Sequence, residues 1–349
     1  MEKYYTRACN FYFGKSSLNK VRQKKSIPLN GNKYLSFDSI EIINRKFNKT
    51  INISEIQKQN YSLKKKILKD LKTLKKKKYF RGLNLKNSPI IMGILNLTPD
   101  SFSDGGKFNK KNKSLKHAKK LIEQGSKIID IGGESTRPGS KTISEKVEWN
   151  RISYILKNRS KLKCFVSLDT RKSKIIEKGI NYKIDIINDV SGFTFDNRTL
   201  SLLKKNKTPF VINHCQGIPE TMQKKPKYSN VLLDVYDYFE NKINQLRKIG
   251  IKHNNIILDP GIGFGKNLKH NITLISKVSI FHSLGFPIML GLSRKKFIEI
   301  LSGNNTSKKR LGGTISSNLF ALMQGVEILR VHDVNEMKQS IKIFKRLFY

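Results

Sequence analysis

Residues Ile90–Gly106 read IIMGILNLTPDSFSDGG. The run Ile90–Leu95 is apolar at nearly every position. That suits a strand of a parallel sheet buried on both faces, not a half-exposed strand. It stops at Asn96, and the Pro, Asp, Ser and Gly that follow form loops. A helical candidate, Ser114–Gln124, comes next. The same unit recurs to the C-terminus. The other strand candidates are Lys127–Ile131, Cys164–Leu168, Ile184–Ile187, Pro209–Asn213, Asn255–Leu258, Pro287–Gly291 and Val326–Arg330. The helical candidates between and after them are Ser144–Lys157, Lys172–Lys178, Asn197–Lys205, Val231–Ile249, Asn271–His282, Lys295–Met323 (broken near Gly303) and Val334–Phe348. Strand and helix alternating in this way over about 260 residues predict an α/β fold, a (β/α)8 TIM barrel.

The barrel is expected over residues 86–349, behind a small α+β extension over residues 1–85. In the extension, Tyr34–Phe37 and Ile40–Ile43 are short apolar runs near a turn at Gly31 and Asn32. A helix capped by Ser62 is expected to reach about Lys78, with Leu63, Ile67, Leu71 and Leu74 on one face and lysines on the others. That pattern fits a solvated helix docked by its leucines.

Lys and Arg number 69 against 26 Asp and Glu, a net charge of +43. The lysines lie on nearly every helical segment and do not interleave regularly with aromatics. The excess therefore reads as compositional drift and not as a nucleic-acid surface. The field still attracts anionic substrates. No apolar run approaches the ~18 residues of a membrane span, so no membrane partner is expected. The N-terminus carries no secretory pattern, and Cys9, Cys164 and Cys215 match no zinc or redox spacing. A cytoplasmic protein fits best.

In such barrels the chemistry sits at the C-terminal ends of the strands. Here those ends carry Asn96, Asp130, Asp169, Asn188-Asp189, Asn213-His214, Asp259, Ser293-Arg294-Lys295 and Arg330-Val331-His332-Asp333. Asp169, Asn188 and Asp259 suit a flat heterocycle with several N–H donors. Lys295, Arg330 and His332 suit a phosphate or diphosphate. Asn96 offers an oxygen to Mg²⁺, which bridges diphosphates with few protein ligands. The long loops after the first two strands have the composition of lids. Gly261-Ile-Gly-Phe-Gly-Lys resembles a dinucleotide fingerprint, but Lys266 stands where the third glycine belongs, so these glycines are expected to shape a tight loop after Asp259.

Several strings together resemble the dihydropteroate synthase family. They are Met92–Gly106, IIDIGGESTRPGS at Ile128–Ser140, SLDTRK at Ser167–Lys172, IINDVSG at Ile186–Gly192, HCQGIPETMQ at His214–Gln223, LDPGIGFGKNLKHN at Leu258–Asn271, GLSRK at Gly291–Lys295 and RVHDV at Arg330–Val334. The resemblance implies condensation of 7,8-dihydropterin-6-ylmethyl diphosphate with 4-aminobenzoate in folate synthesis. It implies that Asp169, Asn188, Asp259 and Lys295 hold the pterin. Asn96, Arg330 and His332 would hold the diphosphate, with Mg²⁺ at Asn96. Thr136, Pro138 and Lys296 would meet the aminobenzoate. The residues acting at the reacting atoms would be Asp100, Arg137, Lys295 and Arg330. A homodimer is expected by the same analogy. Three departures stand out: Lys296 replaces the family's usual serine, and Asn213 and Cys215 replace methionines. His214 is expected to be a wall residue and not a base. The rival readings are a methyltetrahydrofolate:corrinoid methyltransferase-type barrel, which needs no cationic Ser-Arg-Lys and Arg-Val-His sites, and a basic nucleic-acid-binding protein.

Overall fold

The computed structural model describes residues 2–98, 110–137, 139–217, 220–303 and 306–348. Eight parallel strands form the barrel: β5 (Ile90–Asn96), β6 (Ile128–Gly132), β7 (Phe165–Asp169), β8 (Ile186–Asp189), β9 (Phe210–Asn213), β10 (Ile256–Asp259), β11 (Met289–Leu290) and β12 (Ile328–Val331). Their order in the sheet is β10-β9-β8-β7-β6-β5-β12-β11. A bridge between Leu258 and Ile288 links the two ends. The surrounding helices are α3 (Lys110–Glu123), α4 (Glu145–Lys157), α5 (Ser173–Asn181), α6 (Arg198–Asn206), α7 (Val231–Lys248), α8 (Leu268–Ser276), α9 (Lys296–Ser302), α10 (Leu311–Met323) and α11 (Val334–Phe348). None of the described helices is long and apolar enough to cross a membrane.

Most boundaries fall within two residues of the expected ones. Four helical candidates differ: α3 starts at Lys110 and not Ser114, and α5 runs on to Asn181 and not Lys178. The helix expected to reach His282 ends at Ser276, and Val278–Leu284 continues as a 3-10 helix closed by Gly285 in the left-handed region. The break near Gly303 is wider than expected and separates α9 from α10.

The extension holds β1 (Tyr5–Phe13), α1 (Gly14–Arg22), β2 (Ile27–Leu29), β3 (Asn32–Ile43), β4 (Asn48–Asn52) and α2 (Tyr61–Lys75). The two apolar runs noted above are one strand, β3, and it pairs antiparallel with β1, β2 and β4. The cap of α2 is Asn60 and not Ser62: the Asn60 carboxamide oxygen accepts from the Leu63 N–H at 3.0 Å. Leu63, Ile67, Leu71 and Leu74 are buried against the sheet, as their spacing requires.

Three groups of contacts place the extension on the barrel. Phe80 and Leu83 close the barrel bottom against Ile90, Met92, Ile128, Ile186, Val211, Ile257, Met289 and Ile328. Acids on α7 face bases of the extension: Lys3 reaches Asp237 and Glu240, each at 2.6 Å, and Arg45 reaches Asp234 at 2.8 Å and Asp237 at 2.9 Å. Below them Lys78 is buried 3.0 Å from Glu327, which also accepts from Asn30 at 2.8 Å and from the Ile288 N–H at 2.9 Å. His282 accepts from Lys78 and donates to the Gln324 carbonyl.

Candidate active site

The strand tips bring Asp130, Asp169, Asn188, Asn213, Asp259, Lys295 and Arg330 together at the barrel mouth. Arg330 is the centre of this group. Its Nε donates to Asp130 at 2.6 Å and its Nη2 to Asp169 at 2.7 Å. Asp130 is fully buried and also accepts from Asn188 Nδ2 at 3.0 Å. One guanidinium thus serves two buried carboxylates. Burial pushes the Asp169 carboxyl well above the usual range, Arg330 pulls it back, and Asp130 adds to the rise. Asp259 is also raised by burial, although the Gly261 N–H donates to it at 2.8 Å and Lys295 lies near.

Four buried oxygens here have no partner among the described residues: Asp130 Oδ1, Asp169 Oδ1, Asn188 Oδ1 and Asn213 Oδ1. Buried acceptors are ordinarily satisfied, so four orphans at the barrel mouth, those of Asn188 and Asn213 on the cavity wall itself, mark the place of a ligand rich in N–H donors. Asn188, Asn213, Asp259, Lys295 and Arg330 line the cavity with Val190, Ile262, Phe264 and Gly291, which supply apolar walls for a flat ring.

The neighbouring subsite is cationic. Burial first, and then the charges of Arg294, Arg330, Arg137 and Lys295, together lower the His332 imidazole to about 3. It is therefore neutral at physiological pH. Ser293 Oγ lies 3.0 Å from its Nδ1 and accepts from the His332 backbone N–H at 3.3 Å. That arrangement assigns the serine proton to Nδ1 and leaves Nε2 as a donor. Arg294 is engaged in a fork with Asp333, while no described residue accepts from Arg330 Nη1. Lys295 is half-buried, with its amine 3.9 Å from the centre of the Phe264 ring. Burial lowers it to about 8, against the pull of Asp259.

Asn96 ends β5 beside this group. A Cβ placed on Gly132 would sit 3.6 Å from both Asn96 Oδ1 and Asp169 Oδ2. Among the described residues there is no cluster of three or more His, Cys, Asp or Glu that would hold a metal alone. Thr136 is half-buried and Arg137 exposed on the loop after β6. Buried Glu134 anchors that loop: it accepts from the Ile143 N–H at 2.9 Å, Lys172 at 2.8 Å and Arg171 at 3.0 Å. Lys296 is not drawn into the pocket; its side chain is 72% exposed and paired with Glu299. Asp100 and Pro138 lie outside the described residues.

The glycine loop after β10 wraps a buried amine. Gly261, Gly263 and Gly265 all have positive φ. Lys266 Nζ contacts His214 Nδ1 at 2.9 Å and the carbonyls of His214, Gly261 and Phe264 at 2.9–3.2 Å. His214 is accordingly held neutral, well below its usual value, by burial and by Lys266. Asn213, on the cavity wall, and Asp130, behind Arg330 and Asn188, are the site residues to which the strand-end reading gave no role. Their signal was the same as that of Asp169, a polar residue closing an apolar run.

The chain matches the family model "Pterin binding enzyme" over residues 92–332. It is 39% identical to the dihydropteroate synthase of Escherichia coli K12 over 269 residues, covering 76% of this chain and 95% of that one. The solved dihydropteroate synthase of Yersinia pestis in a sulfonamide drug complex superposes with a TM-score of 0.72 at 36% identity, covering 77% of this chain and 98% of that one. The enzyme of Thermus thermophilus in complex with 4-aminobenzoate superposes with a TM-score of 0.69 at 33% identity, covering 77% of this chain and 99% of that one. Matched along nearly the whole length of these relatives, with their barrel and its polar strand tips, the chain belongs to the dihydropteroate synthase family of pterin-binding enzymes.

Proposed function

We propose that this chain joins 7,8-dihydropterin-6-ylmethyl diphosphate to 4-aminobenzoate, giving 7,8-dihydropteroate and diphosphate. The observation that carries the proposal is the cluster of four unpartnered buried acceptors beside a cationic rim. A pterin edge supplies N–H donors to the first, and a diphosphate supplies negative charge to the second. The cationic rim also separates this site from a corrinoid-dependent methyl transfer, which has no diphosphate to release.

In this reading Asp169, Asn188 and Asp259 hold the ring, and Lys295 lies against its edge. The methylene C–O bond breaks and its electron pair leaves with the diphosphate. Arg330, through Nη1, and neutral His332, through Nε2, donate to that anion as charge builds on it. The arylamine nitrogen forms the new C–N bond and gives its surplus proton to water. Asp100 steadies the electron-poor methylene. Thr136, Arg137 and Pro138 close over the aminobenzoate, and Lys296 meets its carboxylate after leaving Glu299. The donor set fits Mg²⁺: Asn96 would hold the ion through its carboxamide oxygen, and Mg²⁺ bound together with a diphosphate needs only one or two protein oxygens. When bound, the ion would offset the charge of the leaving group.

The partner we propose is a second copy of the chain. Adjoining helices α8, α9 and α10 expose Ile272, Ile300, Leu301 and Phe320, a patch suited to a homodimer. The three free cysteines fit a reducing cytoplasm. Incubation of the protein with the pterin diphosphate, labelled 4-aminobenzoate and Mg²⁺ tests the activity. Dihydropteroate and diphosphate should form in equal amounts, and a folded protein that makes neither overturns the proposal.

A further inference from the structure

Asn213 ends β9 at the level of Asp259 on β10, its register partner. Its side chain is 2% exposed and lines the same cavity as Asn188, Asp259, Lys295 and Arg330. Its backbone carbonyl accepts from Tyr238 at 3.1 Å, but its carboxamide makes no hydrogen bond among the described residues, and Oδ1 is buried without a partner. Gly261 leaves room for that oxygen: a Cβ on Gly261 would lie 2.8 Å from it. A carboxamide buried without a partner opposes folding. An apolar side chain of the same size would fit the wall without that penalty. The chain keeps a polar group at a position where the family's methionine has no donor, so the carboxamide points to a ligand.

We propose that Asn213 is a specificity-determining residue that hydrogen-bonds the polar edge of the bound pterin beside Asp259. This rests on the pterin reading above and adds one contact to it. The carboxamide both donates and accepts, so it matches a ring edge that alternates N–H and acceptor atoms, and it stays uncharged throughout the reaction. A site built to hydrogen-bond its ligand discriminates against rings lacking the matching group, because its own polar atom is then left unpaired.

The test is titration of the full chain with the pterin diphosphate in the absence of 4-aminobenzoate, for wild type, Asn213→Leu and Asn213→Met. Both substitutions keep the bulk and remove the hydrogen bond. The dissociation constant should rise about tenfold in each variant, with the KM for 4-aminobenzoate unchanged and the melting temperature of the ligand-free protein no lower than that of wild type. Asn213→Met serves alone if Asn213→Leu does not fold. Equal or tighter pterin binding in a folded variant overturns the proposal. So does a parallel loss of affinity for both substrates, which would mark Asn213 as a mere support of the strand end. If the wild type itself fails to bind the pterin diphosphate, the pterin reading falls, and that result is distinguishable from either of these.

Discussion

Arg330 is shared by Asp130 and Asp169, so one guanidinium answers two buried carboxylates. Burial keeps the Asp169 carboxyl raised to about 8, against the pull of Arg330. A lysine at this position keeps the charge but not the fork, so it cannot reach both carboxylates and the diphosphate together. Arg330→Lys should lower kcat/KM by about a hundredfold or more, read from steady-state rates with the pterin diphosphate varied. Lys295 gives a pH test. Its amine, lowered to about 8, loses its charge as pH rises through that value, and the attraction for the diphosphate is lost with it. Pterin diphosphate affinity should fall as pH rises past 8, and Lys295→Arg should flatten the profile, because guanidinium stays charged. The strand-end acids and amides were legible because a polar residue closing a buried apolar run has few other reasons to be there. The pairing of Arg330 with Asp130 was not legible: the two lie on strands separated by β5 and share no local motif. The surface pairing of Lys296 with Glu299 was also hidden, since only the turn of α9 brings the two together.

Among the elements, the loop after β10 is organised by Lys266. Burial lowers that amine to about 7. In the unfolded chain it keeps its proton up to about the ordinary lysine value, so between about 7 and 10 the unfolded state binds more protons than the folded one. Stability should therefore rise with pH across that window, by at most about 1.4 kcal/mol per pH unit from this group. Below about 7 the group is charged in both states and contributes no slope. Urea unfolding at several pH values should show this component in wild type and not in Lys266→Met. The barrel strands were readable because both of their faces are buried, which leaves an unbroken apolar run. The 3-10 helix Val278–Leu284 was not, because six of its seven residues are apolar or serine and continue the pattern of α8 without a stop before Gly285. The strand β1 and helix α1 were missed for a related reason. YTRACNFYF mixes polar and apolar residues on both faces, and GKSSLNKVR has only two large apolar residues to mark a helix.

The whole molecule is held to its extension by a buried ion pair and a belt of acids on α7. Removing Lys78 leaves Glu327 buried with only neutral donors. Lys78→Met should lower stability by about 3–5 kcal/mol, and adding Glu327→Gln should recover part of it, as read by chemical unfolding. The proposed dimer is tested at the same scale: Phe320→Glu places a charge on the exposed patch, and light scattering should then show the mass of one chain where wild type shows two. Sequence showed where the barrel begins but not where the extension sits. With 69 basic residues the chain masks the few acids that matter, and Asp234, Asp237 and Glu240 stand out only once α7 is seen to face Lys3 and Arg45.

That docking also sets an order of events in synthesis. Lys3, Phe13 and Lys78 leave the ribosome early, yet their partners Asp237, Glu327, Phe344 and Phe348 are made much later. At about 5–20 residues per second the extension waits for tens of seconds with its apolar face uncovered. The residues of the extension, translated before the barrel, are thus among the last to find their place, and α11 completes their docking.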